Sequence, residues 1–133
     1  MVPSLRPIKQ DVILAIVNEL TPNIVCLCGS TRFLIEERVA YFAETMKGNI
    51  VLSHSGMRTP DKITGGKLDK LHLRKIDLAD EILVLNVNGY IGNSTRNEIA
   101  YARSQSKPIR FLNPVPDVDL QYILSTPFQS KMQ

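Results

Sequence analysis

The chain has 133 residues, 44% of them hydrophobic and 22% charged, with 8 prolines and 7 glycines, a size and balance that fit one globular domain with one core and exclude a disordered or fibrous chain. Its 16 basic and 13 acidic residues leave a net charge of +3 and are scattered rather than striped, which suits a small anion better than a nucleic-acid polymer. No run reaches the ~20 apolar residues of a membrane span, and the start Met1–Gln10 lacks the basic-then-apolar pattern of a signal peptide, so a cytoplasmic setting without a membrane partner is expected.

Apolar residues at Ile8, Val12, Ile13, Ile16, Val17 and Leu20 recur at helical spacing and predict an N-terminal helix over residues 1–22, ended by Thr21-Pro22. Asn23 to Leu27 is a β-branched, apolar run feeding Gly29, as a buried strand enters a tight turn. A second helix is expected from about Thr31–Phe33, with Phe33, Leu34, Val39, Phe42 and Met46 facing inward and Gly48 as its C-terminal cap. Ile50–Ser53 reads as the second strand. From His54 to Gly66 the breakers Gly56, Pro60, Gly65 and Gly66 predict a functional loop. Lys67–Ala79 is helical, Glu81–Val87 the third strand, and Asn88–Ser94 a second glycine-bearing loop. Thr95–Ser106, Ile109–Leu112 and Asp117–Leu124 complete the chain as helix, strand and terminal helix.

Strands alternating with helices predict a doubly wound, flavodoxin/Rossmann-like α/β domain over residues 1–133, with four to five parallel strands, helices on both faces, a core at 23–112 and a C-terminal extension at 113–133. Sites in such sheets lie beyond the carboxyl ends of the strands, so the segments 29–32, 54–66 and 86–94 share one rim.

On that rim, Gly29 permits close approach of a ligand, Ser30 and Thr31 offer hydroxyls, Arg32 offers a guanidinium fork, and a helix start offers free amides. A phosphate or similar anion is the ligand this combination suits; the lysine pattern of a Walker loop is absent. Thr95-x-x-Glu98 fits a capping box. Alternatively, Glu98 projects into the rim as a carboxylate able to attack or stabilise an anomeric carbon, with Asn93 and Ser94 holding phosphate or sugar. His54 is placed to touch phosphate or base, or to serve as a local hydrogen-bonding group. His72 reads either as a helix-surface residue or as an acid, and Asp77 as a weaker catalytic candidate. Cys26 and Cys28 point to one side of the first strand as a buried, reduced pair. With no second cysteine pair and His54 and His72 the only histidines, the pattern assigns no metal ligands.

Through Cys28-Gly29-Ser30-Thr31-Arg32, Gly48-x-Ile50-Val51-Leu52-Ser53-His54, Ala79-Asp80 and Ser94-x-x-x-Glu98, the chain resembles the nucleoside 2-deoxyribosyltransferase superfamily over Asn23 to Leu112. Its Gly-Ser-x-Arg loop looks like that of the deoxynucleoside 5′-monophosphate N-glycosidase branch. The resemblance implies that Gly29, Ser30 and Arg32 bind a 5′-phosphate, that Ser94 lies near phosphate or sugar, that Glu98 is the catalytic carboxylate, and that the protein is a homodimer or higher oligomer. Two positions depart from that pattern: Cys26 stands where the family often has an aromatic residue, and His72 aligns with a frequent aspartate. The expected activity is hydrolysis or transfer at the N-glycosidic bond of a nucleoside or nucleotide, with no metal or organic cofactor required, because a carboxylate and an acid suffice. The rival expectation is a non-catalytic nucleotide sensor using the same loop.

Overall fold

The computed structural model describes residues 9–13, 21–54 and 62–130. Four strands, β1 (Ile24–Cys28), β2 (Ile50–Leu52), β3 (Glu81–Val84) and β4 (Ile109–Phe111), form one sheet in the order β2-β1-β3-β4. All pairings are parallel, with Cys26 opposite Leu52 and Ile82, and Leu83 opposite Arg110. Four helices alternate with them: α1 (Leu34–Met46), α2 (Lys62–Leu78), α3 (Asn93–Ser104) and α4 (Asp117–Ser125). The predicted doubly wound α/β architecture is therefore present, with four strands. Of the predicted N-terminal helix, residues 10–13 form a helical turn and the rest lies outside the described residues.

Strand side chains alternate between faces, and the core divides accordingly. Val25, Leu27, Leu83 and Leu85 bury one face with Ala40 of α1. Cys26, Cys28, Ile82 and Val84 bury the other with Ile76 and Ala79, Ile99 and Ala102, and Ile123, contributed by α2 with its end, α3 and α4. Asp80 ties β3 to β1: its carboxylate accepts from the Ile24 amide at 2.8 Å, and its own amide donates to the Ile24 carbonyl at 2.7 Å. At the opposite ends of the strands, Asn86 and Asn113 close a ring of three hydrogen bonds between side-chain amides and backbone, at 2.9, 2.9 and 3.0 Å.

The inner face of α1 corrects the sequence expectation. The helix turns Glu37, Ala40 and Glu44 inward, while Val39, Phe42 and Met46 are exposed, Phe42 by 67%. Glu44 is buried because it has partners: Lys47 donates to it at 2.7 Å and Arg110 of β4 pairs with it. Arg110 also reaches Glu81, so β3, β4 and α1 are pinned by one ion network. Helix α1 starts at Leu34, capped by Phe33, later than Thr31. The predicted loop 54–66 is shorter than expected, since α2 runs through 62–66 and includes Gly65 and Gly66; a helical glycine costs only about 1 kcal/mol against alanine, which tertiary packing overrides. Residues 55–61 of that loop lie outside the described residues.

Candidate functional site

The order β2-β1-β3-β4 places a topological switch between β1 and β3, the position where open α/β sheets bind ligands beyond their carboxyl ends. A cavity of about 370 Å³ lies there, lined by Gly29–Thr31 after β1, His54 after β2, Asn93 and Ser94 at the amino end of α3, and Asp69 and His72 on α2. Glu98 lines it as well, and also lines a neighbouring cavity of about 430 Å³ walled by Asp69, Asn93, Arg96, Asn97 and the C-terminal Thr126–Gln129 segment. Asn97 holds that segment by accepting from the Gln129 amide at 2.7 Å and donating to its carbonyl at 3.0 Å. The Glu98 carboxylate thus stands between two chambers of ligand size.

Gly29 has a packing reason to be glycine: a Cβ there would lie 2.9 Å from Leu85 Cβ. The turn that follows uses Ser30 locally, its carbonyl accepting from the Phe33 amide at 3.1 Å and its hydroxyl from the Arg32 amide at 3.3 Å. Arg32 stacks its guanidinium 4.3 Å above the Tyr90 ring, itself edge-on to Phe33. Tyr90 lines the cavity whereas Arg32 does not, so the arginine sits outside it. His54 is a bridge: Nε2 lies 3.0 Å from the Gly29 carbonyl and Nδ1 lies 3.5 Å from the buried Glu37 carboxylate.

Helix α3 is capped by Gly92, with Thr95 buried in its first turn. The capping box is therefore not formed; the cap falls three residues earlier than Thr95, and Glu98, a full turn inside the helix, faces His72 Nε2 at 3.2 Å. His72 is only 5% exposed, not a helix-surface residue, because the α2 face that carries it packs on the sheet face of Cys26 and Cys28. Its Nε2 lies 3.7 Å from Cys26 Sγ and 3.5 Å from Cys28 Sγ, while Nδ1 has no hydrogen-bond partner among the described residues. Alternation along β1 brings the two sulfurs to one place, as the cysteine spacing predicts.

These four groups control one another's charge. Burial pushes Glu98 up to about 7, against the pull of His72. Burial alone would lower His72, but Glu98 and the Cys26 sulfur hold its proton, and it is raised to about 9. Hydrogen bonding from Cys28 brings Cys26 down to about 5, aided by His72, and the shared proton with burial pushes Cys28 well above the ordinary thiol range. At neutral pH the arrangement favours a charged imidazolium facing the Cys26 thiolate, with Glu98 close to its titration midpoint.

Asp77 is not at this site. The α2 helix runs back along the sheet, so five residues beyond His72 carry Asp77 about 7.5 Å toward the other end, where it accepts from the Tyr101 hydroxyl at 2.5 Å and pairs with Arg74 at 3.6 Å. Asp69 takes the place that the sequence reading gave to Asp77. It lies one turn before His72, on the same helix face, and burial raises its carboxyl. The spacing Asp69, His72, Lys75 was the available signal, since residues three apart share a helix face. Lys75 lines the cavity and donates to the Ser53 carbonyl at 2.6 Å. No helix among the described residues is long and apolar enough to cross a membrane. No family model, curated protein or solved structure matches the chain.

Proposed function

We propose that the protein binds a nucleoside 5′-monophosphate and breaks or transfers its N-glycosidic bond, with Glu98 as the reacting carboxylate. The observation that carries this reading is that Glu98 shares one cavity with both the Gly29–Thr31 turn and the amino end of α3 at Asn93 and Ser94. Free amides and the positive end of a helix dipole favour a phosphate there, while the carboxylate lies deeper, against His72. A nucleotide entering phosphate-first presents its sugar to Glu98. As the bond from C1′ to the base nitrogen breaks, its electron pair leaves with the base, which takes a proton. C1′ passes through an oxocarbenium-like state that Glu98 stabilises or captures, before water or an acceptor base completes the reaction. His72 and Asp69 are titratable groups beside Glu98 in that cavity, and Asp69 lines both chambers. Arg32 stacks on Tyr90, a cavity-lining residue, and adds positive charge at the edge.

The test is incubation with a panel of ribo- and deoxynucleoside monophosphates, with free base followed by chromatography for the wild type and Glu98→Gln. Base release that falls by at least about 100-fold in the variant, with its circular dichroism unchanged, is the expected result. Equal release by both proteins rejects Glu98 as the reacting group. If the wild type releases no base from any substrate yet one nucleotide raises its melting temperature in a dose-dependent way, the protein is a nucleotide-binding sensor rather than an enzyme.

A further inference from the structure

We propose that Cys26, Cys28 and His72 supply three ligands of a site for a thiophilic divalent ion, zinc being the natural candidate. A ligand atom from each of Cys26, Cys28 and His72 lies within 4.8 Å of the others, and all three residues are buried. The spacings agree with a shared central ion. Zinc bonds of about 2.3 Å to sulfur and about 2.0–2.1 Å to nitrogen, at tetrahedral angles, give S···N edges of roughly 3.6 Å. The observed edges from His72 Nε2 to the sulfurs are 3.5 and 3.7 Å.

Hydrogen bonding accounts for this cluster poorly. A single ring nitrogen carries one proton or one lone pair, so Nε2 can satisfy one of the two sulfurs; a cation between them takes all three ligand atoms. Two thiolates and a neutral imidazole around a divalent ion leave a net charge of about 0, which suits a buried space. Soft thiolates select zinc or copper(I) over calcium or magnesium, and a Cys₂His set suits zinc. Two of the ligands come from one central strand and one from α2. Bound metal would take up the His72 nitrogen that faces Glu98; its consequence for the reaction proposed above rests on the nucleotide reading, while the site itself does not.

The probe is cobalt(II), added to the full-length protein after dialysis against a chelator and reductant. One equivalent is expected to bind with sulfur-to-cobalt charge-transfer absorption and the intense visible bands of a tetrahedral ion, and one equivalent of zinc is expected to bleach both. Zinc is also expected to raise the melting temperature. Cys26→Ser should weaken binding by more than 100-fold and diminish the charge-transfer band. His72→Gln, which keeps both thiols, should weaken it about 10- to 100-fold and retain that band. Cobalt spectra that show octahedral, sulfur-free ligation, or zinc binding in the wild type no tighter than in a folded Cys26→Ser variant, would overturn the proposal. A Cys26→Ser protein that fails to fold leaves the wild-type cobalt spectrum and His72→Gln to decide. Base release is not among these readouts, so failure here is separate from failure of the nucleotide reading.

Discussion

Glu44 and Glu98 are both buried carboxylates, on opposite faces of the same sheet, and they are held in opposite ways. Glu44, 2% exposed, is pulled below the usual carboxylate range by Lys47 and Arg110 despite its burial. Glu98, with a side chain 15% exposed, is pushed up to about 7 by burial, because the opposing pull comes from a histidine that also faces two sulfurs. A carboxylate provided with permanent cations is committed to its charge and to the fold. One provided with a titratable partner and an open cavity keeps its proton in play, which is the condition for acid–base or nucleophilic work.

That contrast can be broken most directly by removing each carboxylate and measuring stability. Glu44→Ala is expected to cost about 3 kcal/mol in denaturant unfolding, because Arg110 loses a partner and a buried cavity is left; Glu98→Gln is expected to change stability by less than about 1 kcal/mol, since it removes a charge that burial already disfavours. Equal losses in the two variants would erase the distinction. Acid unfolding sharpens it. Because the folded value of Glu44 lies below its unfolded value of about 4.3, its contribution is complete above roughly pH 5 and disappears as pH falls through the depressed folded value. Glu44→Gln should therefore lose less stability than the wild type between pH 6 and pH 3, and parallel curves would show that Glu44 is not the group responsible. The smallest effect belongs to Lys47→Met: the lysine is 60% exposed, and the change should lie within about 0.5 kcal/mol. A larger loss would mean that Lys47, not Arg110, holds Glu44.

The strands were legible because parallel, doubly covered strands are continuous β-branched runs, and Ile24–Cys28, Ile50–Leu52, Glu81–Val84 and Ile109–Phe111 fall within the predicted spans or one residue beyond them. The face of α1 was not. Helical spacing offered Leu34, Phe42 and Met46 as the core stripe, but the true inner stripe is Glu37, Ala40 and Glu44. Only Arg110, 66 residues away in the chain, makes Glu44 tolerable inside, and such partners leave no local mark. At the site, Gly29, Ser30, Thr31, His54, Asn93, Ser94, His72 and Glu98 do converge on one cavity. Arg32 and Asp77 do not line it. Helix direction decided Asp77, and an aromatic ring two loops away decided Arg32. The meeting of Cys26 and Cys28 with His72 was half visible: alternation placed the sulfurs together, but nothing in the spacing told which histidine would face them.

The ring between Asn86 and Asn113 gives the sheet a different property. Beyond Val84 and Phe111 the regular ladder stops, and a side-chain amide takes over the pairing that backbone would otherwise make. The strands are thus latched at the end where the chain departs into its functional turns. Segment 87–92, which carries Tyr90 and the Gly92 cap of α3, therefore leaves the sheet from a pinned edge, so the position of both is referred to the register of β3 and β4.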